Sequence, residues 1–207
     1  FVREARAAAA LEHPNVVGVL DADPGEDGGD AFLVLELLEG ESLSKRIERH
    51  GRLEWVELES LILPIVDALG LAHAHGMVHR DIKPDNVFLS ITPQGKCVPK
   101  LLDFGIAKLQ GANLTGTSQS FGTPFYMSPE QFNDASKVDA RSDVWSMGVL
   151  LYEGLTGDLP FRGDNIGAIL IAIVQAKRHG IGALAPHIPA HVRRAEEKAG
   201  ETGPKDR

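Results

Sequence analysis

The sequence predicts an α+β fold in which a short mixed segment precedes a larger, mostly helical one. Three observations lead there: two β-rich runs near the start, Val16 to Leu20 and Ala31 to Leu37; an apolar stripe of helical period over Trp55 to Ala74; and helical patterning that dominates after residue 140. With 207 residues, 43% of them apolar and 24% charged, the chain can bury a sizeable core, and its composition is that of a globular protein rather than a disordered one.

Phe1 to Leu11 sets Arg3, Glu4 and Arg6 among alanines, a good helix composition, and Pro14 in His13-Pro14-Asn15 ends it. The acidic, glycine-containing stretch from Asp21 to Asp30 reads as a loop joining the two strands. Ser42 to Arg49 is short and amphipathic. In Trp55 to Ala74 the apolar residues fall at 58, 61, 62, 65, 69 and 72, which marks a buried helix, with a kink or late start expected at Pro64. Val87 to Ser90 and Lys100 to Leu102 read as short strands around a turn at Pro93-Gln94-Gly95. Leu109 to Phe121, rich in Gly, Ser and Thr, has the composition of a surface loop. Ala140 to Leu155, Asp164 to Lys177 and Ile188 to Lys198 then read as helices, the last mostly polar.

The formal charge of −8, without a clustered excess of Lys and Arg, argues against a nucleic-acid partner. Cys97 is the single cysteine, which rules out an internal disulfide and fits a reducing compartment, so a cytoplasmic location is expected. The longest apolar run, Ile166 to Val174, is far short of the roughly 20 residues that a membrane-spanning helix needs. The chain opens on Phe1 with no signal-peptide pattern and reads as a fragment, compatible with a parent anchored in a membrane outside this window.

The chemistry concentrates in His79-Arg80-Asp81-Ile82-Lys83-Pro84-Asp85-Asn86 and, after it, Asp103-Phe104-Gly105. A carboxylate, a lysine and an amide share one short loop, and a second carboxylate sits beside a glycine, the set that a metal-assisted phosphoryl transfer requires. A lone Asp is ordinarily a solvated loop charge or a helix cap; the compound pattern is what distinguishes these. His73 and His75, at i and i+2, point to different sides of a helix and are not read as metal ligands.

This pattern resembles the catalytic and metal-binding loops of eukaryotic-like protein kinases, the bacterial Ser/Thr type in particular: H-R-D, four residues, then Asn, followed by D-F-G. The resemblance implies a bilobal fold, with residues 1–37 as the remnant of a β-rich small lobe (a regulatory helix and its last two strands) and residues 38–207 as a helical large lobe. It implies ATP and Mg2+ as cofactors, and the charge of a magnesium ion makes an acidic protein compatible with ATP. Asp81 is then the residue that accepts or orients the proton of the attacking hydroxyl, Asn86 and Asp103 the magnesium ligands, and Lys83 the ammonium that steadies the transferring phosphoryl group. His79 and Phe104 fall in the packed spine beneath the site.

Gly122 to Glu130 resembles the end of the kinase activation segment, with Ser128-Pro129-Glu130 where the family usually has Ala-Pro-Glu. By the same resemblance Thr123 bridges toward Asp81 and Lys83, Thr115 and Thr117 are candidate activating phosphothreonines, and Arg80 is a candidate partner for such a phosphate. Asp143, in Asp-Val-Trp-Ser-Met-Gly, supports the catalytic loop through its backbone, and Glu130 with Arg207 forms a buried ion pair. Glu4 falls where the family pairs a glutamate with the phosphate-binding lysine. Leu35 guards the back pocket, the backbone of Glu36 and Leu38 meets adenine, and Phe88 lies beneath the base. A protein substrate offering Ser or Thr is implied, as is a kinase homodimer for trans-autophosphorylation.

Two departures accompany the resemblance. No glycine-rich loop and no partner lysine precede Glu4 among these residues, so weak or absent activity of the 207-residue chain alone is expected. Glu196 and Gly200 occupy positions where a buried helix wants apolar residues, which predicts either a loose final helix or a decaying sequence. Two competing readings are a non-catalytic interaction module, which needs none of Asp81, Asn86 and Asp103, and a small-molecule phosphotransferase, which ordinarily lacks Lys83 and the Ser-Pro-Glu segment.

Overall fold

The computed structural model describes residues 11–23, 25, 32–103, 123–133, 138–175, 178, 180–184 and 188–207. All but Leu11 of the helix expected over Phe1 to Leu11, the loop from Leu109 to Phe121, and Glu4, Phe104, Thr115 and Thr117 lie outside these residues, as does the side chain of Thr123.

The first sheet pairs β1 (Val19–Asp23) antiparallel with β2 (Phe32–Leu35). The strand expected over Val16 to Leu20 is thus shifted toward the acidic stretch. Val16 and Val17 serve a different partner: both are buried, Val16 forms a parallel bridge with Leu101, and the Val17 N–H donates to the Leu101 carbonyl at 3.0 Å.

A second, antiparallel sheet has the order β3 (Gly40–Ser42), β4 (Val87–Ile91), β5 (Cys97–Leu101). β4 and β5 form the expected hairpin, closed by the Thr92 N–H to Lys96 carbonyl bond, with Val87 opposite Leu101. β3 has no counterpart in the sequence reading, because Gly-Glu-Ser carries no β signal and the strand exists through its pairing with β4. Gly40 is required there: its φ is +144°, and the Leu89 carbonyl oxygen occupies the space of a Cβ.

Helix α1 (Leu43–His50) is capped by Ser42, whose side chain accepts the Lys45 N–H, and stopped by Gly51 at φ +76°. Helix α2 (Trp55–Ala74) runs without interruption through Pro64, which corrects the expectation of a late start there; buried Leu61, Ile62 and Ile65 hold the helix on both sides of the proline. Each of Leu58, Leu61, Ile62, Ile65, Leu69 and Ala72 is buried, as the periodicity required.

After a 3-10 turn at Thr123–Tyr126 and the short α3 (Pro129–Asn133), helix α4 (Ala140–Thr156) passes through the centre of the molecule. It is buried on nearly every side, and its residues serve two cores. Met147, Leu150, Tyr152 and Leu155 pack with α1 and α2, whereas Trp145 and Val149 pack with Tyr126, Phe161, Ile169 and Ile173. Gly154 lets α2 approach closely, since a Cβ there would lie 2.8 Å from a Leu58 methyl.

Helices α5 (Ile166–Val174), α6 (Ile181–Leu184) and α7 (Ala190–Ala199) complete the chain. α7 corrects the expectation of a loose helix. Glu196 is fully buried and ion-paired with Arg178, and the Arg178 guanidinium fills the space that a Cβ on Gly200 would take. Burial pushes the Glu196 carboxyl above its ordinary range, against the opposing pull of Arg178. No helix among the described residues is long and apolar enough to cross a membrane.

Candidate active site

The loop that follows α2 is made by local geometry. Gly76, at φ +72°, turns the chain, and the Met77 N–H bonds back to the Ala72 carbonyl. Arg80 then adopts φ +66°, a left-handed conformation that costs a non-glycine residue about 1–2 kcal/mol. Asp143, in the first turn of α4 and 1% exposed, offsets that strain: its Oδ2 accepts the His79 N–H at 2.9 Å and its Oδ1 the Arg80 N–H at 2.8 Å. His73 Nε2 lies 2.7 Å from the same Oδ2, so this buried carboxylate is fully partnered.

His79 is wholly buried beneath the loop, with Nε2 2.8 Å from the Leu102 carbonyl oxygen and Nδ1 accepting the Asp81 N–H at 3.3 Å. A carbonyl partner requires Nε2 to carry the proton, which leaves Nδ1 as the acceptor. Burial pushes the imidazole pKa below its usual value of 6.5, so the ring is neutral and serves as a strut.

Above it, Asp81 is held from two sides. Lys83 Nζ lies 3.2 Å from Oδ2, and Asn86 Nδ2 donates to Oδ2 at 3.1 Å and to the Asp81 carbonyl at 2.8 Å. Asn86 closes the 3-10 turn Pro84–Asn86, and its own carbonyl accepts the Leu102 N–H at 2.8 Å. That bond extends the β4–β5 ladder by one step and delivers Asp103, exposed at φ +51°, to the same end of the sheet as Asn86. With Nδ2 committed to Asp81, the Asn86 amide keeps its oxygen as a potential metal ligand. One amide oxygen and one exposed carboxylate are hard donors that fit a magnesium ion completed by phosphate and water. Among the described residues no group of three or more His, Cys, Asp and Glu side chains could hold a metal unaided.

The segment from 123 onward is fastened to α4. Ser146 Oγ donates to the Tyr126 carbonyl at 2.7 Å, and the Tyr126 hydroxyl donates to Glu153 at 2.6 Å; burial raises the Glu153 pKa. Glu130 and Arg207 meet in a bidentate pair at 2.6 and 2.9 Å, with Arg207 fully buried and stacked 5.0 Å over the Trp145 ring. Burial opposes ionisation of Glu130, yet hydrogen bonds from Arg207 and Ser142 outweigh it and hold the carboxyl below its ordinary range.

Glu36, Leu38 and Phe88 lie along the second sheet and the link into it. The Glu36 carboxylate accepts the Gly18 N–H at 2.7 Å and Lys100 Nζ at 2.5 Å, tying the β2–β3 link to β5. Leu38 is half-buried between β2 and β3, and half-buried Phe88 stands opposite Ser42 and Lys100. Leu35 is 37% exposed. Sequence reasoning missed His73, Lys100, Ser146 and Gln131, each of which bonds to a residue far away in the chain, beyond any local signal.

The family model described as protein kinase domain matches residues 1–195. Among curated relatives, the probable serine/threonine-protein kinase PknB of Lactococcus lactis subsp. lactis (strain IL1403) is 40% identical over 190 residues, 91% of this chain and 29% of the relative. Serine/threonine-protein kinase pkn3 of Myxococcus xanthus is 40% identical over 80% of this chain and 31% of its own length. Serine/threonine-protein kinase PknA of Mycobacterium tuberculosis (strain ATCC 25177 / H37Ra) is 41% identical over 93% of this chain and 44% of its own. The chain therefore spans less than half the length of these relatives.

Proposed function

We propose that this chain, which belongs to the protein kinase domain family, carries the catalytic loop of an enzyme that transfers the γ-phosphoryl group of ATP to Ser or Thr hydroxyls of proteins. The observation that carries this reading is the Asp81 carboxylate, held by Lys83 and Asn86 on a loop whose backbone is anchored by Asp143. A pure binding module has no need of that set.

In the proposed reaction the acceptor oxygen forms a bond to the γ-phosphorus, the bond to the β,γ-bridging oxygen breaks, and ADP leaves. Asp81 accepts the hydroxyl proton as the oxygen attacks. Lys83, already beside Asp81, places its ammonium where the transferring oxygens gather charge. Asn86 and Asp103 hold magnesium, which when bound neutralises the phosphate charge. The backbone of Glu36 and Leu38 meets adenine above Phe88, with the Glu36 side chain anchored by Lys100. Thr123 orients toward Asp81 and Lys83, while phosphate on Thr115 or Thr117 pairs with Arg80. A second copy of the kinase supplies that phosphate in trans.

The 207 residues include no glycine-rich loop and no lysine partner for Glu4, so slow transfer is the expected behaviour of this chain alone. The test is magnesium-dependent transfer from radiolabelled ATP to a protein acceptor, compared with Asp81→Asn. Loss of at least about a hundredfold in the variant supports general-base chemistry. Equal rates in both proteins overturn the assignment of Asp81.

A further inference from the structure

The backbone of the catalytic loop is gripped by a side chain from outside it. Gln131, in α3, donates from Nε2 to the Arg80 carbonyl at 2.9 Å. Its Oε1 accepts both the N–H and the hydroxyl of Ser128, at 2.9 and 3.2 Å. The Ser128 N–H can only donate, so the amide has one possible orientation, with its NH2 facing Arg80. Ser128 is wholly buried, and its hydroxyl, where the family usually has a methyl, is thereby given a purpose.

The carbonyl of Arg80 and the N–H of Asp81 belong to one planar peptide unit. Gln131 holds one edge of that unit and His79 Nδ1 the other. The preceding peptide is held by Asp143, and the residue between the two is the left-handed Arg80. Releasing the Arg80 carbonyl lets this strained unit rotate, and the unit bears Asp81. The far side of Gln131 is fastened to the segment at 123–130, which α4 secures through Ser146 to the Tyr126 carbonyl and Ser142 to Glu130.

We propose that Gln131 is a positioning residue that couples the seating of the 123–133 segment to the orientation of Asp81. The proposal rests on the phosphoryl-transfer reading of Asp81 for its catalytic consequence, and on the hydrogen bonds alone for its structural one. When the segment is seated, Ser128 aims the amide and the Arg80–Asp81 peptide is locked; when it is unseated, the lock opens.

The test uses the full chain with three substitutions. Gln131→Met keeps the volume and removes all three bonds. Gln131→Glu keeps an acceptor for Ser128 but has no donor for Arg80. Ser128→Ala removes the weaker aiming bond only. Expected for both Gln131 variants is a fall in kcat of about five- to tenfold at unchanged KM for ATP, with a smaller fall for Ser128→Ala. Amide hydrogen exchange at Arg80 and Asp81 should accelerate by a similar factor, while α4 and the β4–β5 hairpin keep their protection. Wild-type kcat and exchange in Gln131→Glu overturn the proposal, as does acceleration spread evenly over the fold. If the wild-type chain transfers no phosphate, as the lack of a glycine-rich loop and a partner lysine among these 207 residues allows, local exchange at Arg80 and Asp81 alone decides whether Gln131 locks the loop.

Discussion

Asp143 divides its two carboxylate oxygens between adjacent peptides, Oδ2 to His79 at 2.9 Å and Oδ1 to Arg80 at 2.8 Å. A single side chain from the first turn of α4 thereby stabilises a left-handed residue next to the candidate base. Asp143→Asn retains one acceptor and aims an NH2 group at a buried N–H, which costs about 1–3 kcal/mol. Thermal denaturation should show a melting temperature lower by at least about 2 °C, and phosphoryl transfer should fall with it. An unchanged melting temperature would mean that the loop is held by other means.

Arg207 and Glu130 form a pair in which each partner compensates the burial of the other. Breaking it by Arg207→Met or Glu130→Gln should cost about 3–5 kcal/mol, and the double variant should cost less than the sum of the two, as read by urea midpoints. The pH sign follows from the depressed carboxyl of Glu130. Its contribution is present above the ordinary value of 4.5 and is lost as pH falls through the lower folded-state value, so the gap between wild type and Glu130→Gln should narrow below about pH 4.5. A gap constant down to pH 3 would contradict this.

His79 is neutral and buried, with its pKa below 6.5. The unfolded chain therefore binds the proton more readily, and stability should decline as pH falls below about 6.5. Urea midpoints between pH 8 and 5.5 should decline in the wild type, and His79→Leu, destabilised throughout, should give a flatter profile. Parallel profiles would exclude His79 as the source.

Arg178 and Glu196 pose the opposite case. The Glu196 carboxyl is raised by burial, so its charge costs stability as pH rises above 4.5, and Arg178 limits that cost. Arg178→Leu should destabilise by about 3–5 kcal/mol at pH 7 and by less near pH 4.5, whereas Arg178→Leu with Glu196→Val should be neutral or more stable than wild type. Equilibrium denaturation at the two pH values separates these outcomes, and a double variant as unstable as the single one would refute the account.

Much of the fold could be read from local pattern. The stripe through α2 places its buried side correctly because helical period is a property of neighbouring residues, and the β4–β5 hairpin follows from its turn chemistry. β3 and α6 escaped notice because three or four residues carry too little propensity to form alone. Local preference argued for a late start at Pro64, but buried neighbours on both sides of the proline hold the helix from Trp55 onward.

The sequence alone determined the chemistry on offer: an aspartate, a lysine and an asparagine within six residues, and a second aspartate at the end of a following hairpin. Residue types and short spacings carry that information, since a turn or a ladder is made from near neighbours. Only the tertiary structure decided what holds those groups in place. Asp143 reaches the loop across 63 and 64 residues, Gln131 across 51, and Arg207 reaches Glu130 across 77. Glu196, out of place by periodicity, is admitted to the core because Arg178 folds back to meet it. Polar contacts of this kind depend on direction and distance in space, and no periodicity in the chain encodes them.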